Sequence, residues 1–320
     1  MKRIKISLLS TVCMLFFAVG AYAQDINQAI EFNNKGVEAF KAKDWNTAIT
    51  QFNQALTILK ELGDEGKNMT QEIKDLIPSL HYFFGQELAK ASKVNEAIEQ
   101  LKKAIEMADL YDDFNTTAAD AKKLIDQLNI ATAAAFFNEK KYEEAIAACK
   151  VVLEADPQNG NMYLSIGRSY KELGNENEAI TAYEKAIELG SREAPPLLAN
   201  IYLTQAQAAQ RATPPKWATV YDLAKKAVAI VDNYNTNYQF GLAAVETKKF
   251  QEAIPYLDKA LSSSQNDSQK EVVIYRLAMA NEGLGKNSQA CGFYKQLLNS
   301  SNAQLKQMAE YKIKTVLKCE

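Results

Sequence analysis

Apolar residues recur along this chain at i, i+1, i+4 and i+7, the spacing of one face of an α-helix. The face reads Ala48-Ile49-Phe52-Ala55, Ala97-Ile98-Leu101-Ala104, Ala145-Ile146-Cys149-Val152, Ala179-Ile180-Tyr183-Ala186 and Ala253-Ile254-Leu257-Ala260. Looser copies are Val220-Tyr221-Ala224-Ala227 and Ala290-Cys291-Tyr294-Leu297, which makes seven. Twelve residues upstream of each first position stand Gly36, Gly85, Ala133, Gly167, Ala208, Gly241 and Ala278. All are small, as a close approach of two helices requires. Polar turns such as KAKD, NEKK, ELGN and ETKK lie between the two halves. Trp45, Tyr142, Trp217 and Phe250 open the second half in four copies. Each unit is therefore predicted as a helix, a tight turn and an antiparallel helix. Such a hairpin exposes an apolar face that only a neighbouring hairpin can bury, which is why copies must stack.

This pattern resembles the tetratricopeptide repeat, a helix-turn-helix unit of 34 residues. The step from Ala145 to Ala179 has that length. The resemblance covers nearly all of the chain from Gln24 onward and implies an all-α solenoid of about seven hairpins. Departures are visible. The bulky residue expected early in the first helix is Phe32 or Tyr163 in places but Asn129 and Asn237 in others, and a helix-ending proline appears only as Pro157. The fifth and seventh copies are degenerate, and Pro255 falls early in the second helix of the sixth, where a bend is expected.

Three steps exceed the repeat length: 49 from Ala48 to Ala97, 48 from Ala97 to Ala145, and 41 from Ala179 to Val220. The first two excesses suit two extra turns on each flanking helix. Leu59, Leu62, Ile73, Leu76 and Ile77 continue an apolar face in the first, and Leu110, Phe114, Leu124, Ile125 and Leu128 do so in the second. Gly63 to Gly66 and Asn115 to Thr117 mark the turns, and Pro78 predicts a kink. After the seventh copy, Leu305, Met308, Tyr311, Ile313 and Val316 predict a C-terminal capping helix.

The first residues, MKRIKISLLSTVCMLFFAVGAYAQD, read as a secretory signal. Lys2, Arg3 and Lys5 precede an apolar run from Ile6 to Val19, and Ala21-Tyr22-Ala23 places small residues where a signal peptidase reads. Residues 1–23 are thus expected to be removed, leaving 24–320 exported, most naturally to a periplasm. The competing reading is an uncleaved anchor, for which the run is short. No later segment is long and apolar enough to span a membrane. Cleavage takes the net charge from −2 to −5. Acidic residues and lysines are interspersed, with no basic block for nucleic acid.

The chemistry for catalysis is thin. His81 is the sole histidine and occupies a slot where the family often buries a large side chain, so packing is the favoured reading. The segment EGLGKNSQ, Glu282 to Gln289, has some letters of a phosphate loop, but Ala280 stands where its first glycine belongs and Asn287 follows the lysine. Cys149 lies on a buried face. No CxxC pair and no histidine set suggests zinc. No cofactor, no metal and no enzymatic activity are expected.

The resemblance implies a concave face lined by the first helices. On this chain that face would carry Val37, Phe40, Tyr82, Ile130, Phe137, Leu164, Arg168, Tyr202, Tyr238, Leu242, Val245, Tyr275 and Met279. The same residues can instead pack between helices. Tyr82 and Gln86 stand where some family members place carboxylate-holding side chains, so capture of a peptide C-terminus is disfavoured. The expected function is an extracytoplasmic scaffold that takes a protein or peptide segment in this groove. The alternatives are a structural subunit of an envelope complex using its convex face, and an accessory to an envelope enzyme. Cys291, near the start of a second helix, and Cys319, at the end of the cap, are brought together by antiparallel packing. They are either a disulfide, as an oxidising export route permits, or two free thiols.

Overall fold

The computed structural model describes residues 22–111 and 116–319. The leader as far as Ala21, and Phe114 and Asn115 of the second long linker, lie outside these residues; Tyr22 and Ala23 belong to the first helix. Among the described residues the regular structure is helical, in pairs: α1 Tyr22–Lys41 with α2 Trp45–Leu62, α3 Lys67–Lys90 with α4 Val94–Leu110, and α5 Thr117–Asn138 with α6 Tyr142–Ala155. Then follow α7 Gly160–Glu172 with α8 Glu176–Glu188, α9 Ala194–Arg211 with α10 Trp217–Ile230, α11 Tyr234–Glu246 with α12 Phe250–Ser262, and α13 Asp267–Gly283 with α14 Asn287–Gln296. The closing helix is α15 Ala303–Tyr311. The seven hairpins and the cap are those the apolar pattern predicts. No described helix is long and apolar enough to cross a membrane.

The small residues have a direct cause. A Cβ on Gly36 would lie 2.9 Å from Phe52, on Gly85 2.8 Å from Leu101, on Gly167 2.7 Å from Tyr183 and on Gly241 2.6 Å from Leu257. In each hairpin the residue facing the glycine is the i+4 position of the second-helix face. Where that residue is the smaller Cys149, alanine suffices at Ala133.

The fifth hairpin corrects the expected register. Its turn spans 212–216 and contains a cis Thr213–Pro214 bond, whereas the other six hairpins leave two residues and a cap between helices. The chain has slipped by two: Ala208 is exposed, and Ala206 is the fully buried residue packed with Val220 and Ala224.

The shorter turns share one geometry. Lys43, Ser92, Lys140, Gly174, Lys248 and Gly285 each adopt a left-handed backbone. The next N–H then bonds back to the carbonyl five residues earlier, as in Asp44 to Ala39 at 2.9 Å and Lys249 to Ala244 at 2.7 Å.

The long linkers are extra helical turns. α2 reaches Leu62, a short 3₁₀ turn spans Gly63–Gly66, and α3 runs unbroken through buried Pro78. Leu59, Leu62, Ile73 and Ile77 are buried together. α12 likewise continues through Pro255, which sits in its second turn where few backbone N–H bonds are lost.

The chain divides into two compact units, Met1–Asn129 and Ile130–Glu320, with α5 crossing the boundary. In the first unit, one core gathers Ala48, Phe52, Ala55, Ile73, Ile77 and Leu80, and a smaller one joins Leu101, Ala104 and Ala121. In the second unit each second helix packs on its own first helix and on the next one, and first helices also touch one another, α9 with α11 and α11 with α13.

The cap keeps Leu305 and Ile313 of the expected face and turns the rest of it outward. Ala309 is fully buried against Tyr275, Tyr294 and Leu297, with Leu305, Ile313 and Leu317 beside it. Met308, Tyr311 and Val316 are exposed. Leu305, Ala309, Ile313 and Leu317 follow at spacings of four, the last interval running through a π-helical turn at Lys312–Val316.

Candidate protein-binding face

In the second unit the first helices α9, α11 and α13 touch in succession, and the sequence-predicted residues on α7 to α13 divide sharply. Leu164, Tyr202, Leu242, Val245 and Tyr275 are buried, and this corrects their assignment as groove residues. Leu164 and Tyr202 share a core with Tyr183 and Leu198. Tyr202 stands four residues before the buried Ala206, on the inward side of α9. Val245 packs with Phe240 and Leu277, and the Tyr275 ring stands 6.1 Å from Tyr294. Close contact between successive first helices leaves no room for these side chains to stand free.

Arg168, Tyr238 and Met279 stay half-buried, and Ile130 is exposed. Tyr238 stacks on Tyr234, ring centroids 5.8 Å apart and nearly parallel, and Tyr234 donates its hydroxyl to the Gln269 carbonyl at 3.4 Å. Met279 packs beside Arg276, whose Nη1 lies 3.5 Å from its sulfur. Arg168 is already engaged, with its Nη2 2.6 Å from Glu193 Oε2. In α5, Phe137 is half-buried with Tyr142 at 5.4 Å.

A polar ladder runs beside these residues and was not foreseen. Gln239 donates to Gln210 at 3.1 Å, Arg276 to Glu246 at 2.7 Å, and Lys312 to Glu282 at 2.6 Å. Each rung joins one first helix to the next, or to the segment after α15. Gln205 reaches Glu176 at 2.6 Å in the same way across hairpins. Glu282 also accepts from Tyr294 at 2.8 Å, so one carboxylate ties cap to hairpin. Burial pushes the Tyr275 phenol above its ordinary range against the opposing pull of Arg276 and Lys312. The rungs fall 29 or 30 residues apart, so a search for complementary polar pairs at that separation would have found them.

In the first unit Val37, Phe40 and Tyr82 are half-buried. Phe40, Trp45 and Phe83 form a ring cluster with centroids 5.8 to 6.4 Å apart, and Tyr82 adjoins Phe83 at 5.8 Å. Burial raises the Tyr82 phenol, and Asp120 adds to this. His81 is buried, with Nδ1 2.8 Å from Gln100 Oε1, and desolvation lowers its pKa. Cys149 is fully buried and free, its thiol pushed up to about 11 by desolvation. No group of three or more metal-ligating side chains occurs among the described residues. Cys291 and Cys319 are joined in a disulfide, with Cα atoms 5.8 Å apart.

Family models described as tetratricopeptide repeat match residues 84–160, 160–189, 234–267 and 273–301. The chain belongs to the tetratricopeptide-repeat family. Membership supports a protein–protein interaction scaffold, the general role of these non-enzymatic repeats. No curated protein matches this repeat chain.

Among solved structures, MamA is 22% identical, with 60% of this chain and 95% of that one covered and a TM-score of 0.36. YrrB, described as a repeat protein with an unusual peptide-binding site, is 17% identical over 61% and 96%, at 0.39. PilF of Pseudomonas aeruginosa is 15% identical over 75% and 99%, at 0.31. At these scores the overlays carry no argument about the repeat chain.

Proposed function

We propose that this tetratricopeptide-repeat protein is exported and holds a protein segment on the first-helix face of its second unit. The observation that supports this reading is the strip beside Tyr238 and Met279, where half-buried apolar side chains adjoin the rungs Gln210–Gln239, Glu246–Arg276 and Glu282–Lys312. A partner side chain on Tyr238 or Met279 would gain by desolvation, while the amide rung offers hydrogen bonds to its backbone. The ion pairs are internally neutralised, so they would fix register rather than supply most of the affinity. Export rests on the basic start, apolar run and Ala21-Tyr22-Ala23 of the leader.

The partner is to be found by crosslinking in cells, co-purification from envelopes and mass spectrometry. Replacing Tyr238 and Met279 by alanine together should then weaken binding by roughly 2 kcal/mol or more while helicity is kept. Unchanged affinity in that variant would remove this face as the docking surface.

A further inference from the structure

A cleft of about 430 Å³ opens between α12, α13 and α14, lined by none of the residues of the Tyr238–Met279 strip. Its apolar walls are Ile254 and Phe293. Its polar lining is Asp258, Asn281, Lys286, Gln289 and Gln296. Asn281 is only 4% exposed, and its amide nitrogen donates to the Leu277 carbonyl at 2.8 Å. That bond fixes the orientation of the amide and leaves Oδ1 as an acceptor without a donor. Asp258 also lines the cleft, and its carboxylate has no hydrogen bond or ion pair. Every other acid that the neighbouring cavity of about 400 Å³ presents is neutralised: Asp232 accepts from Lys259 at 2.7 Å and from Asn237 at 2.6 Å. Asp258 is exposed, and partial desolvation on its cleft side raises its carboxyl. Lys286 lines the cleft too but does not reach Asp258.

We infer that this cleft is a second binding site of the protein, independent of the first-helix face, and that it takes the side chain of an arginine from a partner protein. Beside the lysine and the two glutamines, the site holds one unpaired carboxylate and one fixed amide oxygen, and these two acceptors suit a donor-rich cation. A guanidinium presents five N–H groups in a rigid plane, enough to meet the Asp258 carboxylate and still reach the Asn281 oxygen. Its plane stacks on the Phe293 ring, and its methylene stem covers Ile254. An ammonium is a compact, strongly hydrated point charge that stacks poorly and gives up more hydration on entry. Gly292 leaves the floor open, since a Cβ there meets nothing within 4 Å.

The test titrates N-acetyl-arginine methylamide into the isotope-labelled full chain and follows amide shifts, with the lysine and citrulline analogues in parallel. Saturable shifts confined to α12–α14 are expected with arginine, weaker ones with lysine, and none with neutral citrulline. Asp258→Asn should weaken binding by roughly tenfold or more. Gly292→Leu should block the floor with its charges untouched and fold intact, and so should also abolish the shifts. Lys286→Gln, which removes the competing cation, should retain or strengthen them. Non-saturating shifts scattered over surface carboxylates would overturn the proposal, as would equal binding of citrulline or undiminished binding in Asp258→Asn. Because no residue of the Tyr238–Met279 strip takes part, failure here leaves the first-helix reading standing, and the reverse.

Discussion

Single glycines show how far one residue's effect depends on what faces it. Gly241 and Gly292 are both helical, yet alanine should act on them with opposite sign. At Gly241 the new Cβ would lie 2.6 Å from the Leu257 side chain in a filled core, and such overpacking costs about 1–3 kcal/mol. At Gly292 it meets open space, so the gain in helix propensity should stabilise by about 0.5–1 kcal/mol. Urea unfolding of the two variants checks both signs, and a shared sign would refute the account of the small residues. His81 supplies a pH dependence. Its folded pKa is depressed chiefly by desolvation, with the Gln100 bond opposing. The unfolded state therefore binds the proton more readily. The stability from burying neutral His81 is fully present above the unfolded value near 6.5 and is lost as pH falls toward the folded one. The urea midpoint should drop between about pH 7 and pH 5, and His81→Gln should flatten that part of the profile.

At the scale of elements, the cap and its disulfide form one device. Cys291 and Cys319 close a loop with a sequence separation of 28, and chain entropy assigns such a link roughly 3.5 kcal/mol. Replacing both by serine should lower stability by up to that amount and loosen first the segment from Ala303 onward, read as faster hydrogen exchange there. The Lys312–Glu282 and Tyr294–Glu282 bonds should keep α15 docked in part. Thiol counting decides whether the bond forms in the purified protein. The unfolded, unreduced chain after leader removal should show one free thiol, Cys149, and three would refute the link. In the folded state Cys149 should resist alkylation near pH 8, because burial holds its pKa at about 11.

At the scale of the whole molecule, two compact units each bury their own core. If export is right, the protein recovered from the envelope fraction should begin at Gln24, and its intact mass should lack residues 1–23. Retention of Met1 in a membrane pellet would favour an uncleaved anchor. The two proposed surfaces share α13, which carries Met279 of one and Asn281 of the other, but they have no side chain in common. Their variants should therefore affect different partners, or different parts of one, additively.

Seven apolar faces at constant register, each answered by a small residue twelve positions upstream, were enough to determine the hairpins, their number and the family. Burial at i, i+1, i+4 and i+7 is a local, periodic requirement that every copy must write into the chain. The linkers were legible for the same reason, since Leu59, Ile73 and Ile77 simply prolong a helical face. What the repeat could not carry was the fate of side chains that point toward other first helices. Whether Leu164, Leu242 or Tyr275 stands free or packs depends on how closely successive hairpins approach, and that distance is a sum over contacts far apart in sequence. The slip in the fifth hairpin was hidden because a two-residue longer turn leaves Ala208 as small as Ala206. The cap's exposed Tyr311 and buried Ala309 were not foreseen because contact with Tyr275, Tyr294 and Leu297 decides which side of α15 turns inward. The polar ladder and the unanswered Asp258 arise only where separate helices meet, so tertiary structure alone decided them.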